Sequence, residues 1–581
     1  MLITDPSDFT FALPRISGQR ELTVDCETTG LNIWKGDRMC GVAIATNNES
    51  FYFSYRHGEG PNLPPTLLPP LLRILEQTPT VVMFNAPFDL KVLGMDGMTI
   101  PERSGSLEDV LPAAHLMNEN ESHKLKVLSD KYLGKESSAP EDNLIEELKR
   151  RNLWSAKTEG KDKMWRLPAE IVAPYAEQDV ILTRNLRDFY LHPLEVWKLL
   201  HIWKEVNDYV LAIVRMERLG MRLDVDLIQE LKEKSIPMAE AAKAKLAVMA
   251  GYAINPRSSP QLQAFMQLPS TAREILDAVI ARNDSRTEAA QTLIEFRGWD
   301  KASTTYYNPY TTWMDESHDL HTTLSVTGTA PGRLSSQNPN LQAVPRYNEV
   351  YPVKDCFVAH PDKVLISADL SQAEMRLASH HADEKRMAAY LIAGNDIHAE
   401  VAKSNNIPRD YAKRINFGII YGLGPPGLSQ KLHISEGEAR KILALYHKTY
   451  PGFRALYRKM ENMADRQGYI RMWTGRIRHY GPAQETRKAM SNLIQGGVAE
   501  VMRVAITRIH QELVPEGLDM LLQVHDDILY EVPENRLDYF LPEIQARMED
   551  FPFSVPVVAD IKYGKRWGKM EKWNHGKVAA Q

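Results

Sequence analysis

Two groups of carboxylates fall where strand and helix periodicity concentrates them, and paired acids are what phosphoryl transfer on divalent ions requires. In Glu21-Leu-Thr-Val-Asp-Cys-Glu-Thr-Thr-Gly, the two-residue period of a strand puts Leu22, Val24 and Cys26 on one face and Asp25 and Glu27 on the other. Adjacent acids on one face repel unless a cation sits between them; a solvated strand face is the plain alternative. Phe84-Asn-Ala-Pro-Phe-Asp89 follows an apolar strand and opens a helix, with Asn85 a candidate N-cap. Tyr175-Ala-Glu-Gln-Asp179 places Tyr175 and Asp179 at i and i+4 on one helix face, where Asp179 also reads as an ordinary surface acid.

The second group lies in the C-terminal half. Val364-Leu-Ile-Ser-Ala-Asp-Leu-Ser-Gln-Ala-Glu-Met-Arg376 reads as an apolar strand ending at Asp369 and a helix from near Ser371, with Ser371 and Glu374 matching a capping box. Met520 to Val532 reads as two strands joined by a tight turn that carries Asp526 and Asp527. Adjacent acids between apolar runs are costly without a cation or water, although Asp is also common in surface turns. Between these segments Arg409, Lys413, Phe417 and Tyr421 recur every four residues, and a drift of about 40° per step keeps all four on one broad helix face. Two cations followed by two aromatics suit a triphosphate and a stacked base; a generic amphipathic helix shows the same spacing.

These residues need elements to carry them. The first 190 or so residues alternate short apolar strands (Glu21 to Cys26, Gly41 to Ala45, Val81 to Phe84) with helical stretches, as in an α/β domain. From about Leu199 to Ala250 the pattern is long and helical, which places a boundary near residue 195. Strands return at Thr322 to Val326 and Lys363 to Ala368, and the remainder is α+β. At 581 residues two or more domains are expected, and 43% hydrophobic with 25% charged residues is ordinary globular composition. A net charge of -5 means that any nucleic-acid surface must come from local clustering of Lys and Arg, such as Arg471, Arg476, Arg478, Arg487 and Lys488. The three cysteines form no C-x-x-C pair, which speaks against a zinc or redox motif and for a reducing compartment. Met1 to Arg20 does not read as a signal peptide, and no apolar run approaches the roughly 20 residues of a membrane span. A cytoplasmic protein without a membrane partner is expected.

The ordered set Asp25, Glu27, Asp89 and Asp179, with Tyr175 four residues before the last acid, resembles the DEDDy family of 3′→5′ exonucleases. The segments around Asp369, Arg409 to Tyr421, and Asp526 resemble motifs A, B and C of the family A DNA polymerases. Thr327-Gly-Thr-Ala-Pro-Gly-Arg-Leu-Ser-Ser-Gln-Asn-Pro-Asn-Leu-Gln342 is similar to that family's primer-template segment, Gly394-Asn-Asp-Ile-His398 to its pre-fingers motif, and Met216 to Asp224 with Leu293 to Arg297 to its thumb. The resemblance implies an α/β RNase H-like exonuclease domain over residues 1–195, followed by an α+β right-hand polymerase domain over 196–581. Its thumb would fall at about 200–310, its palm at about 311–400 and 480–581, and its fingers at about 401–479.

The resemblance also implies roles. Asp25, Glu27, Asp89 and Asp179 would bind two divalent ions, with Tyr175 orienting the attacking water. Asp369, the Leu370 carbonyl and Asp526 would bind two more, with Asp527 in support. All-oxygen ligation favours Mg2+, with Mn2+ as a substitute. Arg409, Lys413 and His398 would contact the incoming deoxynucleoside triphosphate beside Phe417 and Tyr421, with Lys413 a proton donor to pyrophosphate. Glu374 would be the steric gate against a 2′-hydroxyl, a role that can coexist with helix capping. Phe417, lacking a hydroxyl, implies poor use of dideoxynucleotides. Arg333, Gln342, Arg376, Arg487, Gln495, Gln523 and His525 would hold primer-template DNA without reading its sequence.

Three departures qualify the match. Asp527 stands where the family usually has Glu, Ser491 where Asn is usual, and the exonuclease motif begins by residue 25, which leaves no room for a 5′ nuclease domain. The last point and the length suggest a monomeric phage-type replicative enzyme acting in the host cytoplasm, with accessory proteins that the sequence does not identify. The rivals are a DEDDy exonuclease with an inactive C-terminal remnant, against which the intact Asp369 and Asp526 speak, and a non-catalytic primer-template binding module, which primer extension would distinguish.

Overall fold

The computed structural model describes residues 1–574 apart from 101–102, 135–138, 159, 347, 406, 433 and 482–484. Its N-terminal part is built on a six-stranded mixed sheet in the order Leu2–Ile3, Ser50–Ser54, Met39–Ala45, Glu21–Thr28, Thr80–Met83, Leu107–Asp109. Met39–Ala45 is buried along its whole length, which is why it reads as an unbroken apolar run rather than an alternating one. Glu21–Thr28 runs antiparallel to it, with Asp25 opposite Ala43 and Glu27 opposite Gly41, and parallel to Thr80–Met83. Small partners leave the two acids room, and Gly41 has to be glycine because a Cβ there would run into the Tyr52 ring. The 28-residue helix Ala169–Val196 packs across the strands at this point.

Expectation and structure differ at two helix starts. Asn85 precedes helix Ala86–Met95 with a left-handed backbone (φ 66°) and makes no side-chain cap. Asp109, at the end of a neighbouring strand, takes that role: its carboxylate accepts from the Asn85 amide at 2.8 Å and the Ala86 amide at 3.0 Å. The helical stretch from Leu199 to Ala250 is not continuous. Leu200–Leu219 ends at Gly220, whose φ of 69° and close approach to His321 exclude a side chain. A short strand, Met221–Arg222, follows, and Val225–Ala250 restarts with Asp224 accepting from the Leu227 amide at 3.0 Å.

Helix Leu200–Leu219 touches helix Ala86–Met95 on the N-terminal side and helix Ala489–Glu512 and strand Asp519–Val524 on the other, so it packs against both halves. The C-terminal half is α+β. Its antiparallel five-stranded sheet has the order Asp519–Val524, Asp527–Pro533, Lys363–Leu370, Ala559–Gly564, Glu571–Lys572, backed by helix Leu537–Glu549. The helices from Arg409–Ile420 to Pro451–Gln467 are inserted in the chain between strands Lys363–Leu370 and Asp519–Val524, while helices Val225–Ala250 and Thr287–Lys301, which pack on each other, precede the sheet. The three cysteines are buried and unpaired, and among the described residues no helix is long and apolar enough to cross a membrane.

The basic run expected to face DNA is largely structural. Arg476 and Arg478 are 5% and 8% exposed. Arg476 binds Glu500 at 3.2 Å and reaches His115 at 3.1 Å, while Arg478 pairs with Glu119 and donates to Asn120 at 2.8 Å. Arg471 donates to the Trp197 carbonyl at 3.3 Å. These arginines join the two halves, and only Arg487 and Lys488 stay exposed, both paired with Glu485. Glu500 is the hub: Arg503 at 2.8 Å and the Thr474 hydroxyl, also at 2.8 Å, complete its shell. Burial pushes its pKa up, and Arg503 and Arg476 more than offset this, bringing it to about 2. Glu500→Ala therefore leaves buried Arg476 without its carboxylate partner and Arg503 with Glu205 alone, at 3.0 Å, and should cost about 3 to 5 kcal/mol, read as a lowered denaturant midpoint. A midpoint equal to the parent's would remove Glu500 from the support of this junction.

Candidate active sites

The N-terminal acids meet as the strand and helix periods require. Asp25 and Glu27 project from Glu21–Thr28, Asp89 from the first turn of Ala86–Met95, and Tyr175 and Asp179 from Ala169–Val196. Asp89 accepts from the Cys26 amide at 2.9 Å, which ties its carboxylate to the backbone between the two strand acids. Glu27, Asp89, Tyr175 and Asp179 are buried. Burial pushes Glu27 up to about 8, reinforced by Asp179, and Asp89 up to about 7. Asp25 is raised by burial and then by Asp89, Glu27 and Asp179, so all four acids share one electrostatic site. Burial and then Asp179 hold the Tyr175 phenol well above its ordinary range, which keeps it a proton donor at neutral pH. The Lys126 ammonium ion-pairs with Asp179.

Among the described residues no three acidic, imidazole or thiol groups already converge as a finished metal cage. The donor set nevertheless fits a divalent ion, because four oxygen-donor acids crowded into a largely buried site resist carrying charge together, and a hard cation would relieve that repulsion.

In the C-terminal half, strand register does the gathering. Asp369 lies directly opposite Asp527 on one side and Asp560 on the other, three acids abreast on adjacent strands. Asp527 opens its strand instead of sitting in the turn; the turn is made by His525, with φ 59°, and Asp526. The Leu370 amide donates to the Asp526 carbonyl at 2.9 Å, fastening the turn to the end of Lys363–Leu370. Burial and then Asp526, Asp527 and Asp560 push Asp369 up to about 7. Asp527 is engaged by the protein: Ser367 Oγ lies 2.8 and 2.9 Å from its two oxygens. Lys354 and Lys562 add positive charge beside Asp369 and Asp527.

Glu374 is not a capping residue. Helix Ala373–His381 starts after Gln372, which is left-handed (φ 53°), so Ser371 lies too early to cap it. The Glu374 carboxylate instead accepts from Arg333 at 2.9 Å and from the Tyr421 hydroxyl at 2.8 Å. Tyr421, at the end of helix Arg409–Ile420, stacks 6.2 Å from Phe417, which lies 5.8 Å from His398. Asn416 donates to His398 Nδ1 at 2.9 Å, and burial lowers the His398 pKa. Arg409 pairs with Asp396 at 2.7 Å, and Lys413 is exposed.

Gln342, Gln523 and His525 form a second chain: Gln342 donates to the Gln523 carbonyl at 3.1 Å, and Gln523 to the His525 carbonyl at 2.9 Å. Gln495 is half-buried, near Tyr421. Arg376 is 5% exposed and spends its guanidinium on the Ser371 and Pro556 carbonyls, at 2.9 and 3.0 Å. Arg487 is exposed on a separate turn, and Ser491 is buried.

Sequence reading missed Asp560, Lys562 and Lys354 at one site and Lys126 at the other. Asp560 had a signal: Val557-Val-Ala-Asp places an acid after Ala in an apolar strand, as Ile366-Ser-Ala-Asp does for Asp369. Lys126 had none, since a lysine in an amphipathic helix is ordinary.

Comparison with known proteins finds a separate family match for each half of the chain. The family model described as DNA polymerase family A matches residues 225–569, and the one described as 3′-5′ exonuclease matches residues 2–194. The thermostable DNA polymerase I of Thermus filiformis is 29% identical over 440 residues, which cover 69% of this chain and 52% of that protein. The DNA polymerase I of Chloroflexus aurantiacus is 26% identical over 611 residues, covering 98% of this chain and 63% of that protein. The chain spans 48% to 63% of the length of four such curated relatives. Among solved structures, the POL domain of Pol1 from M. smegmatis, in complex with DNA primer-template and dNTP, superposes with a TM-score of 0.81 at 23% identity, covering 98% of this chain and 99% of that one. At that identity the likeness establishes the fold.

Proposed function

We proceed from the fact that this chain belongs to DNA polymerase family A, and propose that it adds deoxynucleotides to a primer 3′ end on a DNA template and removes misplaced ones through a 3′→5′ exonuclease site. The observation that carries this reading is the lateral register of Asp369 between Asp527 and Asp560, beside Asp526, in a chain with a second buried acid site at Asp25, Glu27, Asp89 and Asp179. Residues 1–195 form the exonuclease domain and 196–581 the polymerase domain, with thumb, palm and fingers divided as the sequence implies. Mg2+ is the metal, two ions per site, with Mn2+ able to replace it. When bound, these ions supply Lewis acidity at the reacting oxygen and neutralise charge on the phosphate.

The chain's own residues do the rest. Asp369 and Asp526, with the Leu370 carbonyl, hold the metals of the polymerase site; Asp527, already occupied by Ser367, supports them through charge. Arg409, Lys413 and His398 bind the triphosphate, and Lys413, exposed at the helix surface, donates a proton from its ammonium to the departing pyrophosphate. Phe417 and Tyr421 stack against the base. Arg333, Gln342, Arg376, Arg487, Gln495, Gln523 and His525 position the primer-template, Arg376 through the backbone carbonyls it fixes. In the exonuclease site Tyr175 donates a hydrogen bond that orients water. The protein acts as a monomer in the cytoplasm, that of a host if phage-encoded, and accessory replication proteins are compatible with it.

Glu374 carries nucleotide selection. Two hydrogen bonds hold its carboxylate still, so the space beside it is fixed and a 2′-hydroxyl has nowhere to go. A labelled primer on a longer template tests the whole reading: extension is expected with deoxynucleotides and a divalent ion, shortening with the ion alone, and neither in chelator. Ribonucleotide use should rise by about 10²-fold in Glu374→Ala, while dideoxynucleotides terminate the parent poorly. A parent chain that neither lengthens nor shortens the primer in Mg2+ overturns the proposal.

A further inference from the structure

The N-terminal acid set carries a cation of its own. Lys126 lies on helix Leu125–Tyr132, and its ammonium is in direct contact with Asp179 Oδ1, with the two side chains only 15% and 10% exposed. The same ammonium stands 5.0 Å from the centre of the Tyr175 ring. Lys161 faces this ring at 5.6 Å but is bound to Glu141 at 3.1 Å, so its charge is already shared with an acid outside the set. A largely buried ammonium is expensive unless paired, and here the partner is one of the four acids that a divalent ion needs.

We propose that Lys126 is a built-in counter-cation of the exonuclease site, taking against Asp179 the place of a divalent ion, so that loading the site exchanges an ammonium for a metal. This rests on the reading of the acid set as an exonuclease centre. The arrangement has two consequences that pull in opposite directions. Between loadings, Lys126 offsets the repulsion among the four acids and keeps the empty site folded. During loading it competes, because ion and ammonium cannot both hold the same Asp179 oxygen, and competition for one partner lowers the apparent affinity of each. Nucleotide removal would then need more divalent ion than synthesis, whose acids Asp369 and Asp526 have no lysine in ion-pair contact with them among the described residues. The built-in cation thus biases the chain toward extension when the ion is scarce.

The test measures metal binding rather than turnover. In a full-length chain carrying Asp369→Asn and Asp526→Asn, Mn2+ binding at the remaining site is followed by electron paramagnetic resonance and by the rise in melting temperature that Mn2+ produces. Lys126→Met is expected to bind Mn2+ about tenfold more tightly than this parent and to gain more melting temperature from it, while melting lower in chelator. Lys126→Arg, which keeps the charge, should bind within about twofold of the parent. Lys126→Gln, which removes the charge but keeps a polar end, is run beside Lys126→Met and carries the same expectation. Affinity unchanged or weakened in both neutral variants overturns the proposal and leaves the exonuclease reading standing. A parent that binds no more Mn2+ than the same chain with Asp25→Asn and Asp89→Asn added overturns the reading of the acid set, and the proposal with it.

Discussion

Asp369→Ala lowers primer extension by about 10³-fold or more and leaves 3′ shortening of the same primer within about twofold of the parent. The asymmetry follows from the two sheets. Asp369 is the middle acid of the row Asp527, Asp369, Asp560, and burial and then Asp526, Asp527 and Asp560 push its pKa up to about 7, so its charge calls for a cation. Removing it deletes the oxygen around which that site is organised. Asp25 and Glu27 lie on a separate sheet, and Asp89 and Asp179 on helices that pack against it, and sites without shared partners respond independently. The fold itself should survive, because the lost carboxylate is a source of repulsion rather than an ion-pair partner; a melting temperature in chelator no lower than the parent's checks this. Extension at the parent's rate would show that the acids are wrongly assigned.

How much of this was legible in the chain depends on which force placed each residue. Asp25 and Glu27 could be assigned to one face because alternation against Leu22, Val24 and Cys26 is local, and so could the Tyr175 and Asp179 pair on its helix. Arg409, Lys413 and Phe417 do lie on one helix, as their spacing implied, with Tyr421 just past its end. What failed was anything decided by tertiary register. Asp560 joins Asp369 only because strand Ala559–Gly564 pairs at that offset, and no spacing along the chain encodes it. The S-x-x-E pattern at Ser371 and Glu374 was real, but the left-handed Gln372 moved the helix start past it and freed Glu374 for Arg333 and Tyr421. Asn85 lost its capping role to Asp109 from a distant strand. The basic run misled because counting charges does not reveal burial: Arg476 and Arg478 answer to Glu500 and Glu119 in the junction between the halves.

Asp25→Ala produces the reverse phenotype, with 3′ shortening reduced by about 10³-fold and extension within about twofold of the parent. It also has a signature in the absence of metal that a loss of activity alone cannot supply. Glu27 and Asp89 have pKa values raised to about 8 and about 7, against ordinary values of 4.5 and 3.8. The folded chain therefore holds protons that the unfolded chain releases, and the stabilising contribution of these groups is complete below the ordinary values and is lost as pH rises through 7 to 8. In chelator, the parent should melt at a lower temperature at about pH 8.5 than at about pH 6. His360 acts in the same direction, since Asp319 and Glu531 raise its pKa to about 9, but it is remote from Asp25 and contributes equally to both chains. Glu500 and Glu119, held near 2, add no slope in this window. Asp25 is itself raised by burial and then by Asp89, Glu27 and Asp179, so Asp25→Ala removes one of the raised groups of the set, and its melting temperature in chelator should fall less between the two pH values than the parent's. Equal slopes would mean that the four acids do not share a site, whatever the variant does to the primer.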